Sequence, residues 1–201
     1  MKVFDNFTEI DGQIVNNQWV EWFHFMIPNK PEWFRSFMRN LMAIFKHCLR
    51  CSALDGCYFV SWNIPQNPVP DSEGLLHPNC DCELMEIDFS KVKRKAKAEC
   101  DIEKFTKYAF SINNTNGKKG LFEKWGYSIT DSKNLVEEYK SQALNQYLLG
   151  NYKLKKLDKF GQRLAIPTTL KGYTFYSGWM LRPEGKIINT TPFGGKINEK
   201  K

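Results

Sequence analysis

A cysteine array in the first half of the chain constrains the fold more than any other feature of the sequence. Its sulfurs come in two close pairs separated by residues 52–79, and a histidine precedes the second pair. Thiolate and imidazole are ligands that Zn²⁺ prefers, and a structural zinc ion takes four of them in a tetrahedron. The candidate ligands are Cys48, Cys51, His77, Cys80 and Cys82. The pattern predicts one structural zinc ion, leaving open which four of the five bind it and whether the thiols are merely buried instead.

Composition predicts a soluble, folded protein. The 201 residues are 42% hydrophobic and 25% charged, which is enough to bury a core in one or two domains. The first ten residues contain neither a basic stretch nor an apolar one, so we expect no secretion signal. The thiols are then expected to be reduced, which favours metal binding over disulfides. No apolar run approaches the roughly 20 residues of a transmembrane helix, so we expect no membrane partner and a cytoplasmic location.

Charge is unevenly divided along the chain. Residues 1–90 carry 6 basic and 12 acidic side chains, whereas residues 91–201 carry 23 basic and 10 acidic ones. The lysine-rich run 91–97 marks the change and predicts a linker or short helix between domains. The expected units are an acidic zinc-binding module over 1–90, a basic linker over 91–100, a basic α+β domain over 101–195 and a tail over 196–201. A basic domain commonly binds phosphate, acidic protein or acidic membrane, and the alternative is an ordinary solvated face.

The acidic half is predicted to begin with a β-hairpin and to continue as an amphipathic helix. Asp11-Gly12 suits a tight turn between the β-rich segments 4–10 and 13–26. Asn29 is placed to cap a helix whose apolar side chains recur at three- and four-residue steps, which predicts a stripe facing the core. The stripe comprises Trp33, Phe34, Phe37, Met38, Leu41, Met42 and Phe45.

The basic half is predicted to place its helices before its strands. Helical patterns cover 101–110, 120–125 and a longer segment from Asp131 or Ser132 to Leu149, with Gly150 as its stop. Strand patterns follow over 152–157, 162–170, 173–181 and 186–191. Pro183-Glu184-Gly185 makes the last two strands a hairpin. This order predicts an α+β fold that ends in an antiparallel β-meander.

Residues 46–84 contain one continuous pattern around the cysteine array. It runs through Cys48-x₂-Cys51, Leu54-Asp55-Gly56 and Leu76-His77-Pro78-Asn79-Cys80-Asp81-Cys82. This pattern resembles the C-terminal segment of head-morphogenesis (minor head) proteins of tailed phages, although the portal-associated helical region upstream is missing. In those proteins a toxin-like domain often follows the array. The resemblance implies a phage-derived module, located in a virion or in the cytoplasm of the host cell.

Short motifs are spaced along residues 102–194. They are Lys104-Phe105-Thr106-Lys107-Tyr108, Gly117-Lys118, Leu121-Phe122, Gly126-Tyr127, Phe160-Gly161-Gln162-Arg163, Gly178-Trp179 and Thr191-Pro192. Together they are similar to an uncharacterised domain family of bacterial polymorphic toxins, which is suspected of the fold shared by barnase, EndoU and RelE-type ribonucleases. The resemblance implies descent from a protein that binds or cleaves nucleic acid, with RNA expected ahead of DNA as the partner.

The absence of histidine from the basic half limits which residues could be catalytic there. His24, His47 and His77 are the only histidines and all lie in the acidic half, so metal-independent RNA cleavage in the basic domain would depend on lysine, arginine and tyrosine. The catalytic candidates are Arg163, Lys186, Tyr173 and Thr191, with Tyr176 as a further tyrosine. The candidate nucleic-acid ligands are Lys118, Lys119 and Arg163. Arg163 is preferred because a guanidinium clamps phosphate through two hydrogen bonds. The structural alternatives are a solvated Gly-Lys-Lys-Gly turn and tyrosines packed on a sheet.

Three functions from different classes remain open. The chain contains no glycine-rich nucleotide-binding motif, no His-Glu-x-x-His and no Gly-x-Ser-x-Gly. A ribonuclease-like toxin or effector would need a cleft in which Arg163, Lys186 and a tyrosine hydroxyl converge. A non-enzymatic nucleic-acid-binding protein of a phage or mobile element would show a basic face with aromatic side chains. An interaction protein would show an exposed apolar patch on its acidic module for a protein partner.

Overall fold

The computed structural model describes residues 2–3, 7–10, 13–16, 18–23, 31, 33–34, 37, 49–65, 82–111 and 118–196. Within these residues the chain forms helices, two antiparallel three-stranded sheets and one five-stranded mixed sheet. The predicted α+β class is confirmed.

The N-terminal strands belong to two different sheets. Strands β1 (Lys2–Val3), β2 (Phe7–Ile10) and β3 (Gln13–Asn16) form the first sheet. Ile10 lies opposite Gln13, as the predicted hairpin requires, and the turn between them is outside the described residues. The strand pattern over 13–26 does not form one strand, because β4 (Trp19–Phe23) pairs instead with β5 (Tyr58–Val60) and β6 (Glu83–Ile87). Trp19 and Trp22 of β4 are fully buried, which draws this strand into the core.

The basic run at 91–97, predicted as a linker or a short helix, forms the end of a short helix and the start of a strand. After the short helix α1 (Leu49–Leu54), helix α2 (Phe89–Lys95) begins at Asp88, whose carboxylate accepts a hydrogen bond from the Ser90 backbone N–H at 2.7 Å. Strand β7 (Lys97–Glu99) follows and pairs in parallel with the last strand of the chain. Val92 and Ala96 are buried between the exposed lysines. The run is therefore amphipathic, a property that its charge alone does not reveal.

The basic half has helices first and a meander second, as predicted. A π-helix (Lys104–Ala109), α3 (Lys118–Lys124) and α4 (Ser132–Leu148) precede the strands. The strands are β8 (Lys153–Asp158), β9 (Gly161–Leu170), β10 (Tyr173–Leu181) and β11 (Lys186–Lys196). They lie in the order β7-β11-β10-β9-β8, and neighbours from β8 to β11 are antiparallel. The predicted meander and its final hairpin are confirmed.

Helix α4 covers one face of the five-stranded sheet. The predicted row of apolar side chains is buried and comprises Leu135, Tyr139, Ala143 and Tyr147. Gly150, with a φ of +71°, ends the helix in a conformation that side chains rarely adopt. Leu164 and Ile166 of β9 are buried on the side of the sheet that packs against α4. Residues that alternate with them point to the opposite side, called here the outer face.

One hydrophobic core joins the described parts of the two halves. The Tyr147 hydroxyl donates to the Tyr58 carbonyl at 2.6 Å, and the Val60 N–H donates to the Tyr152 hydroxyl at 3.1 Å. The Trp19 and Tyr147 rings also meet at 5.2 Å in an edge-to-face arrangement. Among the described residues, the change of charge near residue 90 therefore does not separate two cores, because charge is a property of the surface and does not show what is buried beneath it.

The described part of the apolar stripe at 33–45 is not core. Trp33 is 70% exposed and Phe37 is 55% exposed, while Phe34 is half-buried. Three- and four-residue spacing shows which side chains share a helix face, but it does not show that another element covers that face. The remaining stripe residues lie outside the described residues.

Candidate nucleic-acid interface

Three side chains from distant parts of the basic half meet at the edge of β11. The Lys118 ammonium lies 2.6 Å from the Tyr108 hydroxyl oxygen and donates to Thr191 Oγ1 at 3.1 Å. The same ammonium stands 4.3 Å from the centre of the Tyr108 ring. We call Tyr108, Lys118 and Thr191 the Lys118 cluster. It combines one positive charge with two hydroxyl groups on a partly exposed surface.

Aromatic packing brings this cluster together. Phe105 of the π-helix and Phe122 of α3 are fully buried, and their rings meet edge to face at 6.1 Å. This contact docks the two helical segments side by side, so that Tyr108 and the first residue of α3 lie next to each other. The π-helical turn also directs the Lys104 ammonium to the Thr190 carbonyl oxygen, 3.4 Å away. A second lysine therefore stands beside the Lys118 cluster.

A change of partner along β11 creates room for these lysines. Strand β7 pairs with β11 from Lys186 to Ile188, where its last partner is Glu99. Beyond that point Lys104 and Lys118 bind the Thr190 carbonyl and the Thr191 side chain. The edge of the sheet is thus occupied by two ammonium groups instead of a continuing strand.

A straight row of four residues crosses the outer face from β8 to β11. Lys153 lies opposite Ala165, Ala165 opposite Gly178, and Gly178 opposite Thr191. With strands about 4.8 Å apart, this cross-sheet row spans about 14 Å. Lysines stand at both ends, Lys153 within the row and Lys118 on Thr191, and small residues lie between them. Tyr176 flanks the row, with the Lys153 ammonium 4.8 Å from the centre of its ring.

The predicted catalytic residues do not converge. Arg163 pairs with Asp158 at 3.3 Å, and Lys186 pairs with Glu99 at 2.7 Å. The Tyr173 ring stacks on Trp125 with centroids 5.3 Å apart, while Thr191 belongs to the Lys118 cluster. Carboxylates that strand pairing brings alongside Arg163 and Lys186 offset their charge. The convergence that would favour a ribonuclease is not found, and the catalytic roles of these residues stay predictions.

The predicted nucleic-acid ligands separate in the same way. Lys119 lies 3.8 Å from Glu123 on the same helix, and Arg163 has its partner Asp158. Lys118 is paired with neutral oxygens among the described residues, as is Lys104. These two cations therefore keep more of their charge for a ligand. No sequence pattern assigned a role to Tyr108, Lys104 or Lys153. Lys104 and Tyr108 are nevertheless the first and last residues of the motif at 104–108.

A cleft of about 600 Å³ adjoins Lys104 on the outer face. Its walls include Glu99, Asp101 and Arg182, so acidic and basic groups are mixed. Cys100 also lines it, but burial raises the pKa of this thiol to about 12, which keeps the sulfur protonated and unreactive near neutral pH. The balance of charge makes this cleft a poorer phosphate site than the Lys118 cluster.

The predicted zinc ligands are only partly described. Cys51 is fully buried on α1, and Cys82 is half-buried just before β6. Cys48, His77 and Cys80 lie outside the described residues. Within the described ranges, no group of three histidine, cysteine or carboxylate side chains could hold a metal ion. The zinc site stays a prediction of the cysteine spacing.

Comparison with known proteins gives no relative for this chain. No protein-family model matches it, and neither a curated protein nor a solved structure is significantly similar to it. Among the helices in the part of the chain that the structure describes, none is both long and apolar enough to span a membrane.

Proposed function

We propose that this protein binds single-stranded RNA on the outer face of its five-stranded sheet, with Lys118 as the principal phosphate ligand. The carrying observation is the position of the Lys118 ammonium between two hydroxyl groups, at 2.6 Å from Tyr108 and 3.1 Å from Thr191. An ammonium held by neutral groups can bind phosphate without first leaving a carboxylate. The two hydroxyls can also exchange hydrogen bonds with a ribose 2′-OH, which favours RNA over DNA.

The cross-sheet row supports the same proposal. Lys118 and Lys153 stand at opposite ends of a shallow path whose middle residues are Ala165 and Gly178. A glycine within a strand allows a ligand to approach the backbone closely. Tyr176 beside the row offers an aromatic surface, and single-stranded nucleic acid is commonly bound by a basic path with aromatic side chains.

Fluorescence anisotropy with a labelled single-stranded RNA tests the proposal. Lys118→Ala should weaken binding about tenfold at low salt, because it removes a charged hydrogen bond to phosphate. The salt dependence should become shallower by about 0.7 in the slope of log K against log salt, as expected for one lost phosphate contact. Lys133→Ala removes an equal charge from an exposed position on α4 and should leave both quantities unchanged. Equal losses in the two variants, or stronger binding of matched DNA, would contradict the proposal.

A second candidate function is metal-independent RNA cleavage at the same cluster. It is favoured by the arrangement of the Tyr108 phenol, the Lys118 ammonium and the Thr191 alcohol, because the ammonium lies within 3.1 Å of both hydroxyl oxygens. In this reaction Tyr108, as a phenolate stabilised by Lys118, takes the proton from the ribose 2′-OH. The 2′-oxygen then bonds to phosphorus, and the bond to the 5′-oxygen breaks as Lys118 supplies the leaving oxygen with a proton. The products are a 2′,3′-cyclic phosphate and a 5′-hydroxyl.

Cleavage and binding are separable by experiment. Tyr108→Phe should abolish the 2′,3′-cyclic product, whereas RNA binding should persist with a smaller loss than in Lys118→Ala, because the phosphate ligand Lys118 stays in place and only the Tyr108 hydroxyl is removed. Activity should persist in chelator, since the proposed step uses no metal. Full activity of Tyr108→Phe would remove the cleavage proposal and leave the binding proposal intact.

The exposed aromatic residues at the N-terminal end support a separate proposal for a protein partner. Trp33 and Phe37 stand mostly in solvent on the acidic half of the chain. Large exposed apolar side chains are typical of interaction surfaces. A phage-related or toxin-like effector, in a virion or in the cytoplasm of a host cell, would use such a surface for docking, and this assignment remains a proposal based on the resemblance.

A further inference from the structure

The cleft of about 600 Å³ beside Lys104 combines an apolar floor with hydrogen-bonding walls, and we call it the Glu99 cleft. Glu99 lies opposite Ile188, and Ile188 lies opposite Met180, so these three lining side chains share the outer face. Arg182 lies on the same face, because it is two residues beyond Met180 and its backbone is still extended. A floor of Met180 and Ile188 between a carboxylate and a guanidinium suits a flat polar ring.

The Glu99 carboxylate is held in position and keeps capacity for a further hydrogen bond. Its Oε2 pairs with the Lys186 ammonium at 2.7 Å, and its Oε1 lies 3.9 Å from the Lys97 ammonium. The two oxygens of a carboxylate offer about four acceptor sites, so these two cations leave room for another donor. An ionised carboxylate accepts hydrogen bonds and donates none. Glu99 therefore favours ligands that present N–H groups.

Arg182 supplies the opposite polarity on the other side of the floor. One of its guanidinium nitrogens donates to the Phe160 carbonyl oxygen, which anchors the side chain. A guanidinium carries five N–H donors and no acceptor, so donors remain for a ligand. Glu99 is on β7 and Arg182 follows β10, with β11 between them, so their backbones are about 10 Å apart. The cleft thus presents an acceptor on one side and donors on the other.

The Glu99 cleft and the Lys118 cluster meet at two consecutive threonines. A Cβ added to Gly178 would lie 3.1 Å from Thr190 Oγ1 and 2.6 Å from Thr191 Cγ2, so both threonine side chains stand beside this glycine on the outer face. Thr190 lines the cleft, and the Thr191 hydroxyl accepts a hydrogen bond from Lys118. Neighbouring Cα atoms are about 3.8 Å apart, a step that one nucleotide can bridge. The base attached to a phosphate at Lys118 is therefore the occupant that fits the cleft.

We infer that the Glu99 cleft selects an RNA base with an exocyclic amine, binding cytosine in preference to uracil. Glu99 accepts from the cytosine 4-amino group, as carboxylates commonly do, and Arg182 donates to the ring acceptors N3 and O2. Uracil presents O4 to Glu99 and N3–H to Arg182, so each contact would bring two acceptors or two donors together. The inference rests on the proposed RNA-binding function and adds base selectivity to it.

Two labelled oligomers of about six nucleotides test the selectivity by fluorescence anisotropy. The wild-type protein should bind oligocytidine about tenfold more tightly than oligouridine. Glu99→Gln should abolish or reverse this preference, because the amide oxygen stays with Lys186 and the NH₂ group turns toward the base. Glu103→Gln removes an equal charge from an exposed position outside the cleft and should leave the ratio of the two affinities unchanged. A ratio cancels any general change in attraction to phosphate.

A base analogue tests the same contact on unmodified protein. In an oligomer of the pyrimidin-2-one riboside, hydrogen replaces the 4-amino group of cytosine while N3 and O2 remain. The wild-type protein should bind this oligomer about tenfold more weakly than oligocytidine. Glu99→Gln, with folding checked by circular dichroism, should show no such loss. The wild-type comparison applies even if a variant folds poorly.

Failure of the Glu99 cleft is distinguishable from failure of the proposed function. If Lys118→Ala weakens RNA binding but the wild-type protein binds oligocytidine and oligouridine equally, the base selectivity is wrong and the proposed function stands. If the preference for oligocytidine survives Glu99→Gln, or if Glu103→Gln removes it as well, the assignment to Glu99 is wrong. If the wild-type protein binds neither oligomer at low salt, both proposals fall together.

Discussion

Gly178 and Thr191 lie so close across β10 and β11 that a Cβ added to Gly178 would stand 2.6 Å from Thr191 Cγ2. Register shifts flank Gly178 on both sides, and the buried Asn189 amide donates to the Gly178 carbonyl at 3.2 Å and to the Thr191 carbonyl at 3.4 Å. The irregular pairing brings the Thr191 side chain over Gly178, where its hydroxyl meets Lys118. Bulges of this kind commonly redirect a side chain near a functional site.

Gly178→Ala should therefore destabilise the protein by about 1–3 kcal/mol through overpacking against Thr191. Thr191→Ser removes Cγ2 and keeps the hydroxyl, so the double variant should recover much of that loss. Recovery will be incomplete because Thr190 Oγ1 also lies 3.1 Å from the added Cβ. Urea denaturation of the four proteins gives the coupling free energy between the two positions. Additive losses would show that the two residues are not in the predicted contact.

Tyr147→Phe should destabilise the protein by about 1–3 kcal/mol, because the buried Tyr58 carbonyl loses its donor at 2.6 Å. Tyr173→Phe is the matched control, since that tyrosine is 47% exposed, and it should change stability by at most about 0.5 kcal/mol.

Tryptophan fluorescence and far-ultraviolet circular dichroism should follow one urea transition, because the described halves share a core. Two separated transitions would contradict a single cooperative unit.

Elements that depend on local pattern were predictable from the sequence. The row Leu135, Tyr139, Ala143 and Tyr147 repeats every four residues, and this spacing alone marks the buried face of α4. Pro183-Glu184-Gly185 likewise marks the turn between β10 and β11, where Glu184 and Gly185 both adopt a positive φ. Short-range spacing and turn chemistry carry this information directly.

Relations between distant residues were not predictable in the same way. Lys118 and Thr191 are 73 positions apart, and only the docking of α3 against the π-helix brings them together. The sequence predicts Lys186 as a catalytic residue, but the parallel pairing of β7 with β11 places Glu99 beside it. Composition describes how much charge a segment carries, while strand register decides which charges are paired.

The Cys100 thiol should react slowly with iodoacetamide in the native protein. Burial raises its pKa from 9.0 to about 12, so the reactive thiolate is scarce at pH 8 and becomes abundant only near pH 12. Unfolding in urea restores an ordinary thiol, and labelling should then accelerate by at least about tenfold. Peptide mass spectrometry at several times after mixing measures the rate at this cysteine alone. Equal rates in native and unfolded protein would show that Cys100 is not shielded.

Zinc should copurify with the chain at one ion per molecule if the cysteine array binds metal. Cys51→Ser removes one candidate ligand and should lower the zinc content, whereas Cys100→Ser removes a thiol outside the array and should not. A metal site that exists only in the folded protein adds its binding free energy to the free energy of folding. Chelation should therefore also lower the midpoint of urea denaturation of the wild-type protein. Elemental analysis of protein purified without chelator provides the count. A zinc content near zero in the wild type, or equal contents in the two serine variants, would show that the cysteine spacing serves packing and not metal.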